Sequence, residues 1–198
     1  ARLEEAFRVN EKKLTVLDDS LHQAMGNMGE LFGVIRQVAG DTRSQLDASL
    51  ISAQYPDRAE KLAPLVKEKN IPSAAALNDL WYVLHHEITE SGKVVKFEAA
   101  VTGPSGEAKS QTVTRVGLFN AVSDGKYLKW ISEVGKLNEL ARQPSSRYLA
   151  TVSDLEESEA GQVRFAVDPS RGSILSLLVQ TPSLSERLQF GGVIGYMI

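Results

Sequence analysis

His85, His86 and Glu87 stand side by side, and Glu90 follows His86 by four residues. Imidazole and carboxylate are ordinary zinc ligands, but a zinc site wants three or four groups converging on one point. No third ligand of matching character is apparent. The remaining histidine, His22, falls on the N-terminal helical pattern. Surface or partly packed histidines are the default reading, and no metal is assigned. Cysteine is absent, which removes disulfides, thiolate zinc sites and cysteine nucleophiles. The chain also lacks a G-x-S-x-G elbow, a Walker loop, an H-E-x-x-H pair and a dinucleotide fingerprint. The expectation is therefore no catalytic residue, no cofactor and no enzyme.

Other unusual residues point to contacts and turns. Gly26, Gly29 and Gly33 fall within eight residues of a helical pattern. Each costs about 1 kcal/mol relative to Ala in a helix interior. A close backbone approach, a bend or a contact surface would explain them. Asp124-Gly125 is a two-residue hairpin signal. Asp168-Pro169-Ser170-Arg171-Gly172 reads as a cap with Pro at the first helical position. Arg171 is its candidate ion-pair or partner contact. Gly26, Gly29, Gly33, Asp124, Gly125, Asp168, Pro169, Arg171 and Gly172 are thus the partner-contact or hinge candidates. For each, a plain role in a bend, turn or cap is the competing reading. Gly191 and Gly195 stand four apart in the apolar run Leu188 to Ile198. That spacing lets helices pack closely in lipid.

These residues need elements to carry them. Stepping by four and three from Leu3 reaches Phe7, Asn10, Leu14, Leu17, Leu21, Ala24, Met28, Leu31, Ile35 and Val38. A 3.5-residue period predicts a coiled-coil arm, with Asn10 its one polar interruption. The arm would be roughly 50 Å long at 1.5 Å per residue. Gly40-Asp41 reads as a break, with Asp41 a helix cap. A short helix with Leu62, Leu65 and Val66 on one side is expected to end near Asn70. Ser73 caps a second helix that ends at Ser91-Gly92. Alternation then predicts strands at Val95 to Val101, 111–122, Lys126 to Ile131 and Leu137 to Leu140, a small antiparallel meander. Ser145 to Glu159 reads as helix. Another opens at Pro169, and Ser183 with Glu186 forms a capping box for a last helix.

The expected fold class is α+β. Its parts are a coiled-coil arm over 1–54, a helical segment over 55–92, a β module over 93–143 and a helical return over 144–198. The return would end at the start of a transmembrane helix. The chain has 198 residues, with 22 Lys+Arg, 25 Asp+Glu and a net charge of −3. A mildly acidic chain is a poor prospect for non-specific nucleic-acid binding. Both ends read as cut from something longer, since the first residue already lies in a helical pattern and the last eleven turn apolar.

A set of stretches carries a family resemblance. They are Met25 to Val34 (MGNMGELFGV), Arg36 to Asp41 (RQVAGD), Thr89 to Val95 (TESGKVV), Ala121 to Gly125 (AVSDG), Ala166 to Gly172 (AVDPSRG) and Gln189 to Tyr196 (QFGGVIGY). In this order they resemble the MotA/TolQ/ExbB proton-channel family, among its TonB-system accessory components with a long periplasmic N-terminal extension. The resemblance implies a periplasmic region of an inner-membrane protein from a Gram-negative bacterium, membrane-anchored in its native form. It implies ExbB, ExbD and TonB-type partners, and help in passing proton-motive force to outer-membrane iron-siderophore receptors. It also implies rings, commonly pentamers, and self-association through the coiled coil. The proton-conducting residues would lie outside this chain. A periplasmic adaptor of an efflux or secretion assembly is the alternative, though no returning helical hairpin or lipoyl-like half-motifs are clear.

Overall fold

The computed structural model describes residues 2–67 and 72–180. Its first element, α1 (Arg2–Ala48), is one unbroken helix of 47 residues, about 70 Å long at 1.5 Å per residue. From Glu5 to Leu31 every described side chain is exposed. Phe7 is 71% exposed and Leu14 67%. The coiled-coil expectation is thereby corrected: among the described residues no second helix lies along this stretch. The 4-3 spacing reports an apolar stripe and does not say what covers it.

The expected break at Gly40-Asp41 is absent as well. Ala39, Thr42 and Leu46 are buried three and four residues apart, so packing of one face carries the helix past its glycine. Beyond the helix's own backbone, no atom of the described residues lies within 4 Å of the place a Cβ would occupy at Gly26, Gly29 or Gly33. Among the described residues no other backbone approaches them. Replacing each with Ala is expected to stabilise the local helix by about 1 kcal/mol. Amide hydrogen exchange along α1 measures this; unchanged exchange in the triple variant would show that α1 is held by something other than its own propensity.

The root of α1 packs on a helical layer. It consists of 3-10 turns at Leu50–Ala53 and Ala59–Leu62, then α2 (Ala63–Lys67) and α3 (Ala74–Ser91). Leu46, Leu62, Leu65, Leu80 and Val83 form its core. The expected cap is found: Ser73 Oγ accepts the Ala76 N–H at 3.1 Å, and Gly92 ends α3. The end expected near Asn70 lies outside the described residues.

Five strands follow: β1 (Val94–Thr102), β2 (Ala108–Val116), β3 (Asn120–Ser123), β4 (Lys126–Ile131) and β5 (Lys136–Glu139). They close into a barrel in chain order, which corrects the four-strand meander. The seam is a parallel pairing of β1 with β5, Val101 against Leu137 and Thr102 against Asn138. The single strand expected over 111–122 is two strands. Gly117, at φ +55, turns the chain between them. Each strand gives the inner cluster one buried residue, Val101, Val113, Ala121, Leu128 and Leu137, with Leu50 from the first 3-10 turn packed among them and Phe97, Ala99 and Trp130 against them. The period of two sends the next residues, Val122 and Tyr127, to the outer face. There they meet Val152 of α4 (Ser146–Glu157) and Leu175 of α5 (Ser173–Gln180).

The helix expected to open at Pro169 begins at Ser173. Arg171 and Gly172 sit at φ 56 and 93, a left-handed stretch that no α-helix contains. No described helix is long and apolar enough to cross a membrane. The apolar run Leu188 to Ile198, with Gly191, Gly195 and the Ser183 capping box, lies outside the described residues.

Candidate functional site

Buried charge gathers where α3 meets the barrel. Glu87 and Glu90 stand three apart and so share a face of α3. Arg115 rises from β2 with its side chain 0% exposed. It donates to Glu90 Oε2 at 2.8 Å, to the carbonyls of Glu90 and Gly117 at 2.9 and 3.0 Å, and twice to Gln54 Oε1. Lys93 donates to the other Glu90 oxygen at 2.6 Å. Beside this pair, Arg58 donates to Glu87 Oε2 at 2.7 Å and to Ser52 Oγ at 2.9 Å. Ser49 Oγ donates to Glu87 Oε1 at 2.6 Å. The Arg58–Glu87 pair fastens the segment after α1 to α3, the Arg115–Glu90 pair fastens α3 to β2, and Gln54 joins that segment to β2 through Arg115. Burial by itself raises the Glu90 carboxyl, but the Lys93 hydrogen bond and the Lys93 and Arg115 charges outweigh it and hold the group below its ordinary value.

No protein family, characterised protein or solved structure matches this chain.

The joint also decides what the His85–Glu90 cluster does. Both carboxylates are spent on arginines, and among the described residues no group of three His, Asp or Glu could hold a metal. His85 leans on Trp81, with ring centroids 4.3 Å apart. His86 packs edge-on against Tyr55 at 4.7 Å and lies 3.5 Å from Arg58 Nη1. Burial lowers its pKa, and the Arg58 charge lowers it further. The unfolded chain therefore takes up this proton first. Stability tied to neutral His86 is present above pH of about 6.5 and is lost as pH falls through the lowered value. Urea midpoints at pH 7.5 and 5.5 are expected to fall further for the native protein than for His86→Gln. Equal falls would show that His86 is freely solvated.

The nine contact or hinge candidates are not brought together. Gly26, Gly29 and Gly33 lie on the exposed part of α1. Asp124 and Gly125 form the predicted hairpin, at φ 51 and 71. Asp124 borders a polar cleft of about 410 Å³ with Lys96, Thr112, Ser123 and Glu156. The Gly125 N–H donates to Glu156 Oε2 at 2.8 Å. Burial raises the Glu156 carboxyl, and the Asp124 charge adds to the rise against the pull of that hydrogen bond. Lys96 Nζ donates to the carbonyls of Glu156 and Ser158, satisfying the end of α4.

Asp168 to Gly172 lie elsewhere, between β3 and α5. Asn120 Oδ1 accepts the Asp168 N–H at 2.8 Å. Asp168 Oδ1 accepts the Ser170 N–H at 2.8 Å, and Oδ2 accepts the Leu175 N–H at 3.1 Å. Asp168 therefore caps α5, but across a turn and not from the adjoining position. Burial raises its carboxyl; the hydrogen bonds from Ser170, Leu175 and Gly172 outweigh this and hold it below its ordinary value. Asp168→Ala is expected to cost about 1–2 kcal/mol, with Asp168→Asn much milder. Thermal unfolding at pH 7 compares the two, and equal losses would deny the cap.

Arg58, Gln54, Lys93 and Arg115 were missed as a group. The one sequence signal is an arginine inside the β pattern Val113 to Val116.

Proposed function

We propose that this chain is a periplasmic scaffold and coupling domain of an inner-membrane TonB–ExbB–ExbD-type energy-transduction complex. It would help pass proton-motive force to outer-membrane iron-siderophore receptors. The reading starts from the order of family-like stretches along the chain. The observation that carries it is the joint: a helix about 70 Å long packs its root on the helical layer and runs into the segment 49–58, which Ser49, Gln54 and Arg58 tie to Glu87 of α3 and Arg115 of the barrel. A displacement applied along such an arm reaches the barrel with little lost in slack, because close-packed interiors transmit strain.

The exposed apolar side chains of α1 are where copies of the chain or its partners would meet. The polar cleft by Asp124 and the turn at Arg171 offer separate surfaces, so one domain could touch two partners at once. The binding test uses the membrane-anchored form with TonB-, ExbB- and ExbD-type proteins and the periplasmic face of a receptor. Capture of at least one, weakened by charged substitutions at Leu14 and Leu21, is the expected result. Capture of none overturns the proposal.

A further inference from the structure

A cavity of about 440 Å³ opens where the end of α1, the barrel and α5 converge. That is within the range of small-ligand sites, about 300–1,000 Å³. Leu50, Phe119, Leu128, Trp130 and Leu177 give it apolar walls. Its charged lining is Lys129 and Arg171; among the described residues no Asp or Glu lines it.

Arg171 is the unusual member. It holds a left-handed φ of 56, a conformation unfavourable for a residue bearing a Cβ. Asn or Asp can recover some of that by bonding locally. Among the described residues the Arg171 and Lys129 side chains have no hydrogen bond or ion pair. Strain kept with no local return points toward a ligand. The first turn of α5 does not supply the charge, since the N–H groups of Ile174 and Leu175 already go to Ser170 and Asp168.

We propose that this cavity binds a single-chain amphipathic anion, an alkyl chain ending in one carboxylate. The chain lies against Phe119, Trp130 and Leu177, and the head takes Arg171 and Lys129. Such an occupant touches α1, the barrel and α5 together. Trp130 is a natural reporter, because its Nε1 donates to the Asp47 carbonyl at 3.0 Å.

The test uses the full chain with Trp81→Phe, which leaves Trp130 as the one tryptophan. Decanoate, decanol and decyltrimethylammonium are titrated below their micelle concentrations, and Trp130 emission is read. Decanoate is expected to give a saturable change, with decanol at least about tenfold weaker and the cation silent. Arg171→Gln and Lys129→Gln are each expected to weaken decanoate about tenfold. Arg171→Gly separates binding from folding: its unfolding midpoint holds or rises as strain is relieved, while decanoate binding weakens. The proposal is overturned by no saturable response, by equal binding of decanol, or by unchanged affinity in Arg171→Gln. It is overturned too if Arg171→Gly lowers the midpoint, or if dihexanoyl phosphatidylglycerol binds and decanoate does not.

Discussion

Arg115→Ala is expected to cost the fold about 3–5 kcal/mol, the range for removing one partner of a buried ion pair. The guanidinium is fully buried and makes five hydrogen bonds. Its loss leaves Glu90 charged and nearly buried, with only Lys93 beside it. The Gly117 carbonyl and Gln54 Oε1 lose their donor as well. Against a usual domain stability of about 5–15 kcal/mol, this is a large fraction. Urea unfolding at pH 7 measures it. The double variant Arg115→Ala with Glu90→Gln is expected to recover part of the loss, because no orphan charge remains. A cost under about 1 kcal/mol would mean that water reaches the joint and replaces the arginine.

Gly117→Ala is the second large effect. Glycine is required here twice over. Its φ is +55, and an added Cβ would stand 2.4 Å from the Ser91 carbonyl oxygen. That oxygen belongs to the last residue of α3 and cannot rotate away as a side-chain tip would. Gly117 also donates its N–H to the Lys93 carbonyl at 2.9 Å, so the contact is fixed from both sides. The left-handed φ alone costs about 1–2 kcal/mol, and moving the backbone adds to it. A total of at least about 3 kcal/mol is expected, read from the thermal midpoint and urea curve. A loss of 1 kcal/mol or less would show that α3 can slide on the barrel. Because Gly117 and Arg115 serve one joint, their combined variant should cost less than the two single losses added together.

Where local chemistry decides conformation, the sequence was legible. Ser73 caps α3 and Gly92 closes it because side-chain oxygens and glycine solve the problem of orphan backbone groups at helix ends. Asp124-Gly125 turns β3 into β4 because only such residues take two successive positive φ values cheaply. Strand β4 keeps its expected bounds, Lys126 to Ile131, since alternation and a tight turn fix both register and start. Failures came where the deciding contact joins distant residues. Barrel closure rests on Val101 meeting Leu137, and neither residue carries a local mark of that pairing. Gly40 looked like a break because its penalty is local, while the burial of Ala39 and Leu46 that overrides it is tertiary.

The site divides the same way. His85, His86, Glu87 and Glu90 formed the one metal-like cluster in the sequence, to which no metal was assigned, and spacing does place Glu87 and Glu90 on one face. Only the tertiary structure brings Arg58 and Arg115 onto that face, and a buried carboxylate beside an arginine becomes a structural ion pair. By itself the sequence determined the apolar stripe of α1, the caps, the hairpin and the lack of cysteine chemistry, all properties of neighbours along the chain. The closed barrel, the buried joint and the cation-lined cavity were decided by the tertiary structure, because each depends on groups that only long-range packing brings within reach.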